Sequence, residues 1–565
     1  MVDSTVSSYK FRWKICRCFS KIKIMIIKNK PWWSPLVKAK RLQNLISSQN
    51  VSFEFKIKDF VFLLTYLMLL LLIALQLPEQ MIEHYETQTA LICFGFLGLW
   101  RYSWWMTHVV RSLIYSHWVF PKRRSKAEAL WKTGWRPRQL YFMMTTFKEV
   151  RETTEKVLQT LIAECAEIGV TTRLFIGTGC ESDEKIIEEF FAKQTLPFSL
   201  QVVLVRQKLP GKRYAIGDTL RVMVRHGLQA DDPVVFMDGD TFFSPGCLRL
   251  CLPFFHLYPK LQALTTHERT IVRTGPRWVR KWLEMRFVQR DFTMKSYALS
   301  NKVLSLTGRM SIFRGKPILE PAFIRIIEND TLKHWLWGQF RFLSGDDKST
   351  WYYLLKAGAD MFYVPDASTT TIEAIHGSPF GRMKENLRRW TGNTLRNGAR
   401  ALDLGPRRVG FFIWWCLLDQ RISIWTMLFG HLIILVLALL KSAAFFMVSL
   451  LWLAFSRLCV SAILFYHAGR IDMSFPFLIY LNQLMTALTK IYLIFRLPQQ
   501  RWKNRGDQSA GFHTDKNWRL KNWTASYLTT FYCLSILLLV LLYLDVISLP
   551  RIEDFKVLLA DSGTS

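Results

Sequence analysis

The chain has 565 residues, half of which are hydrophobic (50%), and its mean hydropathy is +0.12. Such a composition excludes an ordinary soluble enzyme, and the length leaves room for several domains. Its 75 Lys and Arg residues exceed the 43 Asp and Glu residues by 32 charges. The apolar residues collect in long runs and the basic residues lie between them, a pattern typical of a protein that crosses a membrane several times.

Residues 1–59 are densely basic, and residues 60–120 contain two apolar runs, Phe60–Leu77 and Thr89–Val119. The loop between these runs, Pro78–Gln88, carries three Glu residues and no Lys or Arg. Since Lys and Arg are enriched on cytoplasmic loops, we predict two transmembrane helices joined by an outer loop, with a cytoplasmic N-terminal extension. Within that extension, the alternating basic and apolar stretch Phe11–Lys30 is either bound to anionic lipid or a disordered positive tail.

The sequence pattern of residues 121–405 predicts a cytoplasmic α/β domain. Apolar strands are predicted at Tyr141–Thr146, Arg173–Gly177, Leu200–Arg206 and Pro233–Met237, with helical patterns between them. Alternating strands and helices indicate a parallel, doubly wound sheet, whose ligands bind at the carboxyl ends of the strands.

Polar residues collect at those predicted strand ends. Asp238 and Asp240 follow the strand Pro233–Met237 with one glycine between them. Two carboxylates in that arrangement suit Mg²⁺ (or Mn²⁺), which would bridge the diphosphate of a nucleotide sugar, although a D-x-D pair is also common in solvated turns. Donor-binding candidates nearby are the cations Lys212 and Arg213, otherwise a basic surface turn, and the acidic residues Glu149 and Asp183.

A second carboxylate pair, Asp346 and Asp347, precedes a helical pattern over Ser349–Ala357. A pair at a helix start usually caps the helix, and we predict that role for Asp346, with Asp347 facing the acceptor. A carboxylate there is a suitable general base for an acceptor hydroxyl. If the hydroxyl then attacks the anomeric carbon directly, the configuration inverts.

Arg389 and Trp390 lie in a predicted helix just before the apolar runs return. An indole face suits a sugar ring and a guanidinium suits a phosphate or carboxylate, so both are acceptor-binding candidates. The alternative is an amphipathic helix at the bilayer surface, which we predict for residues 406–420.

Residues 421–549 contain four more apolar runs, at Ile422–Leu440, Ala443–Tyr466, Phe475–Phe495 and Tyr527–Leu549. Together with the first two runs they give five expected spans and one doubtful span. Phe475–Phe495 is the doubtful one, because the basic stretch Arg496–Lys521 should be cytoplasmic, and three full spans before it would place it outside. We therefore predict that Phe475–Phe495 is an interfacial or re-entrant helix. Residues 550–565 form a C-terminal tail.

In their order along the chain, Asp238-x-Asp240, Gly345-Asp346-Asp347 and Arg389-Trp390 resemble the motifs of the processive family-2 glycosyltransferases, which include cellulose, chitin, hyaluronan and alginate synthases. The chain is most similar to the alginate polymerases, or mannuronan synthases, over roughly residues 60–550. The runs that carry this likeness are Thr307–Ser311, Phe340–Ser349, Phe362–Ala367 and Leu404–Arg408.

The resemblance implies a GT-A-like domain inserted between transmembrane helices, with metal and donor at Asp238 and Asp240 and the acceptor base at Asp347. The family motif Q-x-x-R-W has Asn386 in its first position here, so an acceptor role carries over to Asn386 less firmly than to Arg389 and Trp390. The family's paired aspartates after the second strand are replaced by Gly177–Cys180. A relaxed form of the hyaluronan synthase motif W-G-T-R is present at Trp502–Arg505.

We therefore expect a multi-pass protein of the bacterial inner membrane that polymerises mannuronate from GDP-mannuronate and passes the anionic polysaccharide across the bilayer. Arginines of the apolar regions would then line the polymer path or pair structurally with other helices; they are Arg101, Arg111, Arg396 and Arg457. The resemblance also implies a partner subunit that binds cyclic di-GMP, and separate periplasmic export proteins. No nucleic-acid partner is expected. The alternatives are a hyaluronan- or cellulose-like synthase that uses UDP-sugars, and an inactive membrane scaffold or transporter.

Overall fold

The computed structural model of the protein describes residues 22–27, 53–54, 56–76, 85–196, 198–374, 378–502, 508–510 and 517–548. Several predicted features lie wholly or partly outside the described residues. They are most of the N-terminal extension, residues 78–84 of the outer loop, motif residues 503–505 and the tail 550–565.

A nine-stranded sheet forms the centre of the α/β domain, in the order β1-β4-β3-β2-β5-β8-β7-β11-β6. Strands β4, β3, β2 and β5 are parallel to one another, as are β7 and β11, whereas β8 runs antiparallel between β5 and β7. The sheet strands are β1 (Ile22–Ile27), β2 (Leu140–Thr146), β3 (Thr172–Thr178), β4 (Leu200–Arg206), β5 (Pro233–Asp238), β6 (Thr241–Phe243), β7 (Leu261–Thr274), β8 (Met310–Arg314) and β11 (Asp360–Ala374). The four strands predicted from the sequence are confirmed as β2 to β5.

The helices of this domain pack on the sheet and bury one large hydrophobic core. Helix α2 (Tyr85–Ile114) continues through a π-helical turn (Tyr115–Val119) into α3 (Phe120–Lys132). Helix α4 (Arg151–Ile168) ends at Gly169, whose left-handed φ of 72° closes the helix. The helices are α3 (Phe120–Lys132), α4 (Arg151–Ile168), α5 (Glu181–Ala192), α6 (Lys212–Arg225), α7 (Cys247–Cys251), α8 (Pro253–Leu257), α9 (Arg277–Ala298), α10 (Gly315–Leu319), α11 (Pro321–Glu328), α12 (Asp346–Lys356), α13 (Pro379–Leu402) and α14 (Gly405–Val409). A hairpin of β9 (Thr331–His334) and β10 (Gly338–Arg341) precedes α12.

Strands β7 and β11 were not predicted from the sequence. The second half of β7 reads Thr265-Thr266-His267-Glu268-Arg269-Thr270, and β11 contains the similar run Ser368-Thr369-Thr370-Thr371. In β7 the side chains of Thr265, Thr266 and Glu268 are buried, and in β11 those of Ser368 to Thr371 are buried, so these halves of the two strands lack the apolar run by which a buried strand is recognised.

Six described residues of the N-terminal extension, Ile22–Ile27, form β1, which pairs antiparallel with β4 at the edge of the sheet. The expectation of a lipid-bound or disordered segment is therefore wrong for Ile22–Ile27. Their alternating isoleucines have the high strand propensity of β-branched residues, and β4 offers an unpaired edge.

Four described helices are long and apolar enough to cross a membrane: α1 (Ile57–Ala74), α15 (Phe411–Leu440), α16 (Ala444–Ala468) and α18 (Trp518–Tyr543). The second expected span forms helix α2 (Tyr85–Ile114), and the doubtful one forms α17 (Phe475–Leu493), but neither is among the four within the described chain. Both carry cationic side chains that interrupt their apolar runs. A short ladder of β12 (Gln500–Trp502) and β13 (Gln508–Ala510) lies between α17 and α18.

The boundary expected between an interfacial helix at 406–420 and a span from Ile422 is absent. After the short helix α14 and Gly410, whose φ is 90°, α15 runs without interruption from Phe411 to Leu440. The residues Asp419, Gln420 and Arg421 do not break it, since Asp419 and Arg421 have partners on α2 and α13.

Candidate active site

The turn Asp238-Gly239-Asp240 leaves β5 where that strand lies beside β2. Gly239 donates its N–H to Thr145 O at 2.9 Å, and a Cβ at Gly239 would lie 2.9 Å from that oxygen and 3.0 Å from Thr146 Cβ. Only glycine allows so close an approach of the two strands. The turn therefore projects both carboxylates from the carboxyl end of the parallel strands, as the sequence predicts.

Lys212 is the first residue of α6 and joins the two carboxylate pairs. Its Nζ lies 2.7 Å from Asp238 Oδ1 and 3.3 Å from Asp346 Oδ2. Burial by itself lowers the pKa of Lys212, but Asp238 and Asp346 outweigh burial and raise that pKa above its ordinary value. Lys212 is therefore a permanent cation between carboxylates that lie more than a hundred residues apart in sequence.

Gly308 lies against the cluster formed by Lys212, Asp238 and Asp346. A Cβ at this position would lie 3.2 Å from Lys212 Nζ and 3.7 Å from an oxygen of both Asp238 and Asp346. The backbone of the Thr307–Ser311 run also touches the metal-site turn, because Asp238 N–H donates to Arg309 O at 3.2 Å. The Thr307–Ser311 run carries part of the family resemblance in the sequence, but its place in the site was not predicted.

The electrostatics of Asp238 and Asp240 fit a divalent cation. Burial and then the neighbouring Asp238 charge raise the pKa of Asp240 to about 7, and burial raises the pKa of Asp238 despite its pairing with Lys212. In the described part of the chain no group of three or more His, Cys, Asp or Glu side chains is arranged to hold a metal ion by itself. Asp238 and Asp240 would therefore supply only some of the oxygen ligands of a Mg²⁺ ion. The diphosphate oxygens of the donor would supply others, which is how Mg²⁺ is commonly held.

Asp346 and Asp347 occupy the first turn of α12, but Asp346 is not its cap. The N-cap is Gly345, with a φ of 87°, and Asp346 is turned to Lys212 instead. Burial would raise the pKa of Asp346, but the cations Lys212 and Arg213 hold that pKa below its usual range. The predicted cap is thus wrong, because an ion pair inside the site is a stronger partner than the helix N-terminus.

Asp347 has the opposite shift. Burial, followed by the charge of Asp346, raises the pKa of Asp347 to about 6. Its neighbour Lys348 opposes this shift and itself donates to Leu304 O. One carboxylate of the pair is thus held ionised while the other is able to take up a proton near neutral pH, which is the property that a general base requires.

Helix α13 brings Arg389 towards the same site. Burial and the nearby Arg382 lower the pKa of Arg389, whereas Glu373 and Asp347 raise it, so its guanidinium lies within electrostatic range of the candidate base. The Trp390 ring stacks on Trp282, with ring centroids 6.1 Å apart. Arg389 therefore lies near the candidate base, and the acceptor-binding role of Arg389 and Trp390 stays a prediction.

Asn386, Asp183 and Glu149 have different surroundings. Asn386 is only 3% exposed inside α13, so its placement does not favour contact with an acceptor. Asp183 lies in the first turn of α5, where it accepts from Lys148 N at 2.8 Å, and Glu149 is half-buried in the loop after β2. Asp183 and Glu149 thus border the carboxyl ends of β2 and β3, where a donor nucleotide would lie.

Arg213 faces away from the carboxylates that Lys212 contacts. It is 4% exposed and donates to Ile327 O at 2.7 Å and to Ser344 O and Ser349 Oγ at 3.0 Å each. A donor-binding role is not supported by this placement. Successive residues of a helix point about 100° apart, so Arg213 instead holds the segment that precedes Asp346.

Three of the four arginines expected along a polymer path pair with the protein. Arg101 forms an ion pair with Asp419, and Arg111 donates to Ser296 O at 3.3 Å and Ser300 Oγ at 2.6 Å. Arg396 is 2% exposed and donates to Leu497 O at 2.9 Å. Arg457 differs, because its Nε is buried and no hydrogen bond or ion pair joins its guanidinium to another described residue.

The comparisons with known proteins agree with the site. Residues 137–393 match the family model "Glycosyltransferase like family 2". The chain is 36% identical over 468 residues to "Glycosyltransferase alg8" of Pseudomonas syringae pv. tomato, which covers 82% of this chain and 94% of the relative. It is also 36% identical over 481 residues to "Glycosyltransferase alg8" of Azotobacter vinelandii, covering 85% and 96%.

Among solved structures, the mannosyltransferase PcManGT from Pyrobaculum calidifontis in complex with GDP-Man and Mn²⁺ covers 69% of this chain and 99% of its own. Its TM-score of 0.41 and identity of 13% are too low to inform the substrate. The alg8 relatives, by contrast, match nearly their whole length. The chain therefore belongs to the family-2 glycosyltransferases and, within them, to the alg8 group.

Proposed function

We propose that the protein is an inverting, processive polymerase that transfers mannuronate from GDP-mannuronate to the end of a growing β-1,4-polymannuronate, the precursor of alginate. The observation that carries this proposal is the pairing of two unlike carboxylates on α12. Asp346 is bound to Lys212 beside the donor turn, whereas Asp347, with its raised pKa, lies on the side of Arg389.

In this mechanism Asp347 accepts the proton of the acceptor hydroxyl, which attacks the anomeric carbon from the side opposite the leaving diphosphate. No second nucleophile intervenes, so the configuration inverts. A divalent cation, Mg²⁺ or Mn²⁺, would be held by Asp238 and Asp240 and would offset the charge of the departing diphosphate. Lys212 binds the diphosphate from the other side and keeps Asp346 ionised.

The substrate assignment is supported by the alg8 relatives and by the cations around the acceptor side. Arg389, Arg309 and Arg382 are close enough to influence one another electrostatically. A uronate acceptor carries one carboxylate per sugar, and guanidinium groups are suited to bind carboxylates.

The membrane placement is supported by the apolar helices on both sides of the catalytic domain. The domain is proposed to lie in the cytoplasm, where GDP-mannuronate would be available, and the polymer to leave through the inner membrane between these helices. Arg457 is the arginine best suited to meet the polymer, because its guanidinium is not already engaged by a described residue. A cyclic di-GMP-binding subunit and periplasmic export proteins remain proposed partners on the family resemblance.

The test is incorporation of labelled sugar in membranes that contain the full chain, with and without a cyclic di-GMP-binding partner. The donors compared are GDP-mannuronate, UDP-glucose, and UDP-glucuronate together with UDP-N-acetylglucosamine. We expect polymer from GDP-mannuronate alone, and we expect a mannuronate lyase to degrade it.

Asp347→Asn is the matched inactive variant, because it keeps the shape of the side chain and removes its basicity. It should abolish incorporation while the protein still inserts into the membrane. Polymer from a UDP-sugar would overturn the assigned substrate and keep the mechanism. Unchanged synthesis in Asp347→Asn would refute the assignment of the base.

A further inference from the structure

A cavity of about 780 Å³ lies apart from the active site, where four helices begin. Its lining comes from the N-terminal ends of α1, α9, α13 and α17 and from the segment between α16 and α17. The two sites share no lining residue. The segment that leads into α1 is joined to this region, because Glu54 N–H donates to Gly469 O at 2.6 Å.

Cationic side chains dominate the polar lining of this cavity. Five of its lining residues are Lys or Arg and two are Asp: Lys56, Lys58, Arg277, Lys281, Arg470, Asp59 and Asp472. Lys281 forms an ion pair with Asp472, and Arg470 pairs with Glu284 and lies 3.4 Å from Asp472. Lys58 and Arg277 are exposed and form no ion pair with a described residue.

Two further features add to this positive charge. The backbone N–H groups of a helix's first turn carry partial positive charge, and four such turns border the cavity. Of the two acidic lining residues, Asp472 is already neutralised by Lys281 and Arg470. Lys56, Lys281 and Arg470 form ion pairs, so Lys58 and Arg277 face Asp59 as the lining carboxylate that no ion pair in the described chain neutralises. The two cations exceed this single carboxylate, and the net positive charge would attract an anion.

The opposite side of the cavity is apolar. Its wall includes Phe62, Trp278, Phe380, Phe477 and Leu481. Phe62 is 60% exposed and Phe477 is 67% exposed, so the wall continues onto the outer surface of α1 and α17. A small inorganic anion would leave this wall bare to water, whereas a ligand with a charged head and a hydrocarbon tail would cover it.

With the apolar helices placed in the membrane as proposed above, the cavity lies at the level of the lipid headgroups. It adjoins the first turn of α1, whose apolar run continues from Ile57 to Ala74, and it lies on the side of the N-terminal basic segment. Basic pockets between transmembrane helices on the cytoplasmic side are suited to anionic lipid heads.

We propose that this cavity binds an anionic phospholipid, whose phosphate lies between Lys58 and Arg277 and whose acyl chains run along Phe62 and Phe477. Residues 28–52 carry five Lys or Arg residues and no Asp or Glu, so the charges of the cavity would repel them and they are not the proposed occupant. An acidic peptide would satisfy the cations and would leave the aromatic wall uncovered.

The experiment uses the full chain in nanodiscs that contain phosphatidylcholine and phosphatidylglycerol, followed by extraction into mild detergent and native mass spectrometry of the retained lipid. The test variant is Lys58→Gln with Arg277→Gln. The matched control is Lys122→Gln with Arg407→Gln, two exposed cations outside the cavity and the active site. Loss of two headgroup cations should lower the retained phosphatidylglycerol, relative to phosphatidylcholine, by about tenfold. The control should retain the wild-type ratio.

Three results would overturn the proposal: equal retention of both lipids by the wild-type chain, the same loss in the control, or no loss in the test variant. Displacement of phosphatidylglycerol by inorganic phosphate or by soluble glycerophosphoglycerol would show a simple anion site. Displacement by an oligoglutamate peptide would show a protein-binding site. Thermal unfolding of both variants confirms that they fold, and because the readout is lipid retention, failure here is distinguishable from failure of the proposed sugar transfer.

Discussion

The raised pKa of Asp347 makes the pH dependence of sugar transfer a direct test of the proposed base. Since a base must be ionised to accept a proton, activity at saturating donor and Mg²⁺ should rise with pH through the pKa of Asp347, which lies at about 6. About one tenth of the enzyme would then be active at pH 5 and about nine tenths at pH 7. An ordinary aspartate would already be about nine tenths ionised at pH 5.

Two substitutions should move this acid limb in opposite directions. Lys348→Gln removes a cation that lowers the pKa of Asp347, so the limb should move to higher pH. Asp346→Asn removes the like charge that raises the pKa of Asp347, so the acid limb of the pH profile should move to lower pH. The maximum rate should also fall, because the ion pair between residue 346 and Lys212 is lost. A partly screened neighbouring charge is worth roughly 1 kcal/mol, so each shift should be about 0.7 of a pH unit.

The assay is initial incorporation of labelled mannuronate in membranes, measured across the pH range for the wild type and both variants. The opposite signs separate Asp347 from Asp240, whose pKa is also raised but whose neighbours do not include Lys348. Shifts of the same sign, or an acid limb at the position of an ordinary aspartate in the wild type, would refute the reasoning.

Three further predictions concern residues around the site. Gly308→Ala should raise the donor KM by about tenfold with an unchanged melting temperature, because its Cβ would lie 3.2 Å from Lys212 Nζ and displace that side chain by a few tenths of an ångström. Arg213→Met should lower the free energy of unfolding by roughly 3 kcal/mol, since it removes the buried donor to the carbonyl oxygens of Ile327 and Ser344; thermal unfolding in detergent measures this, and a stability unchanged from wild type would contradict it. Gly345→Ala should cost roughly 2 kcal/mol by the same measurement, because φ is 87° and the new Cβ would lie 2.8 Å from Asn393 Cγ; a wild-type melting curve would argue against that strain.

Much of the local structure followed from the sequence. The strands β2 to β5 are short apolar runs followed by polar residues, and the structure forms each within one or two residues of its predicted bounds. Asp238 and Asp240 were placed correctly because a residue that follows a parallel strand must lie at the carboxyl edge of the sheet.

The strands β7 and β11 and the Gly308 segment could not be recognised in this way. The second halves of the two strands bury hydroxyl-bearing side chains and Glu268 where they pair, so the sequence pattern of those halves is that of a loop. Gly308 has no side chain, and its importance comes only from the three charged groups that surround it.

The sequence by itself determined the family, the candidate carboxylates and the alternation of apolar helices with a polar domain, because these depend on residue type and on spacing within one element. The tertiary structure alone decided that Asp346 pairs with Lys212 and does not cap its helix, and that Arg213 is structural while its neighbour Lys212 is not. It also showed three of the four arginines engaged by partners elsewhere in the chain. An ion pair between residues 212 and 346 depends on how two helices that are distant in sequence come together in the fold, and no local pattern encodes that distance.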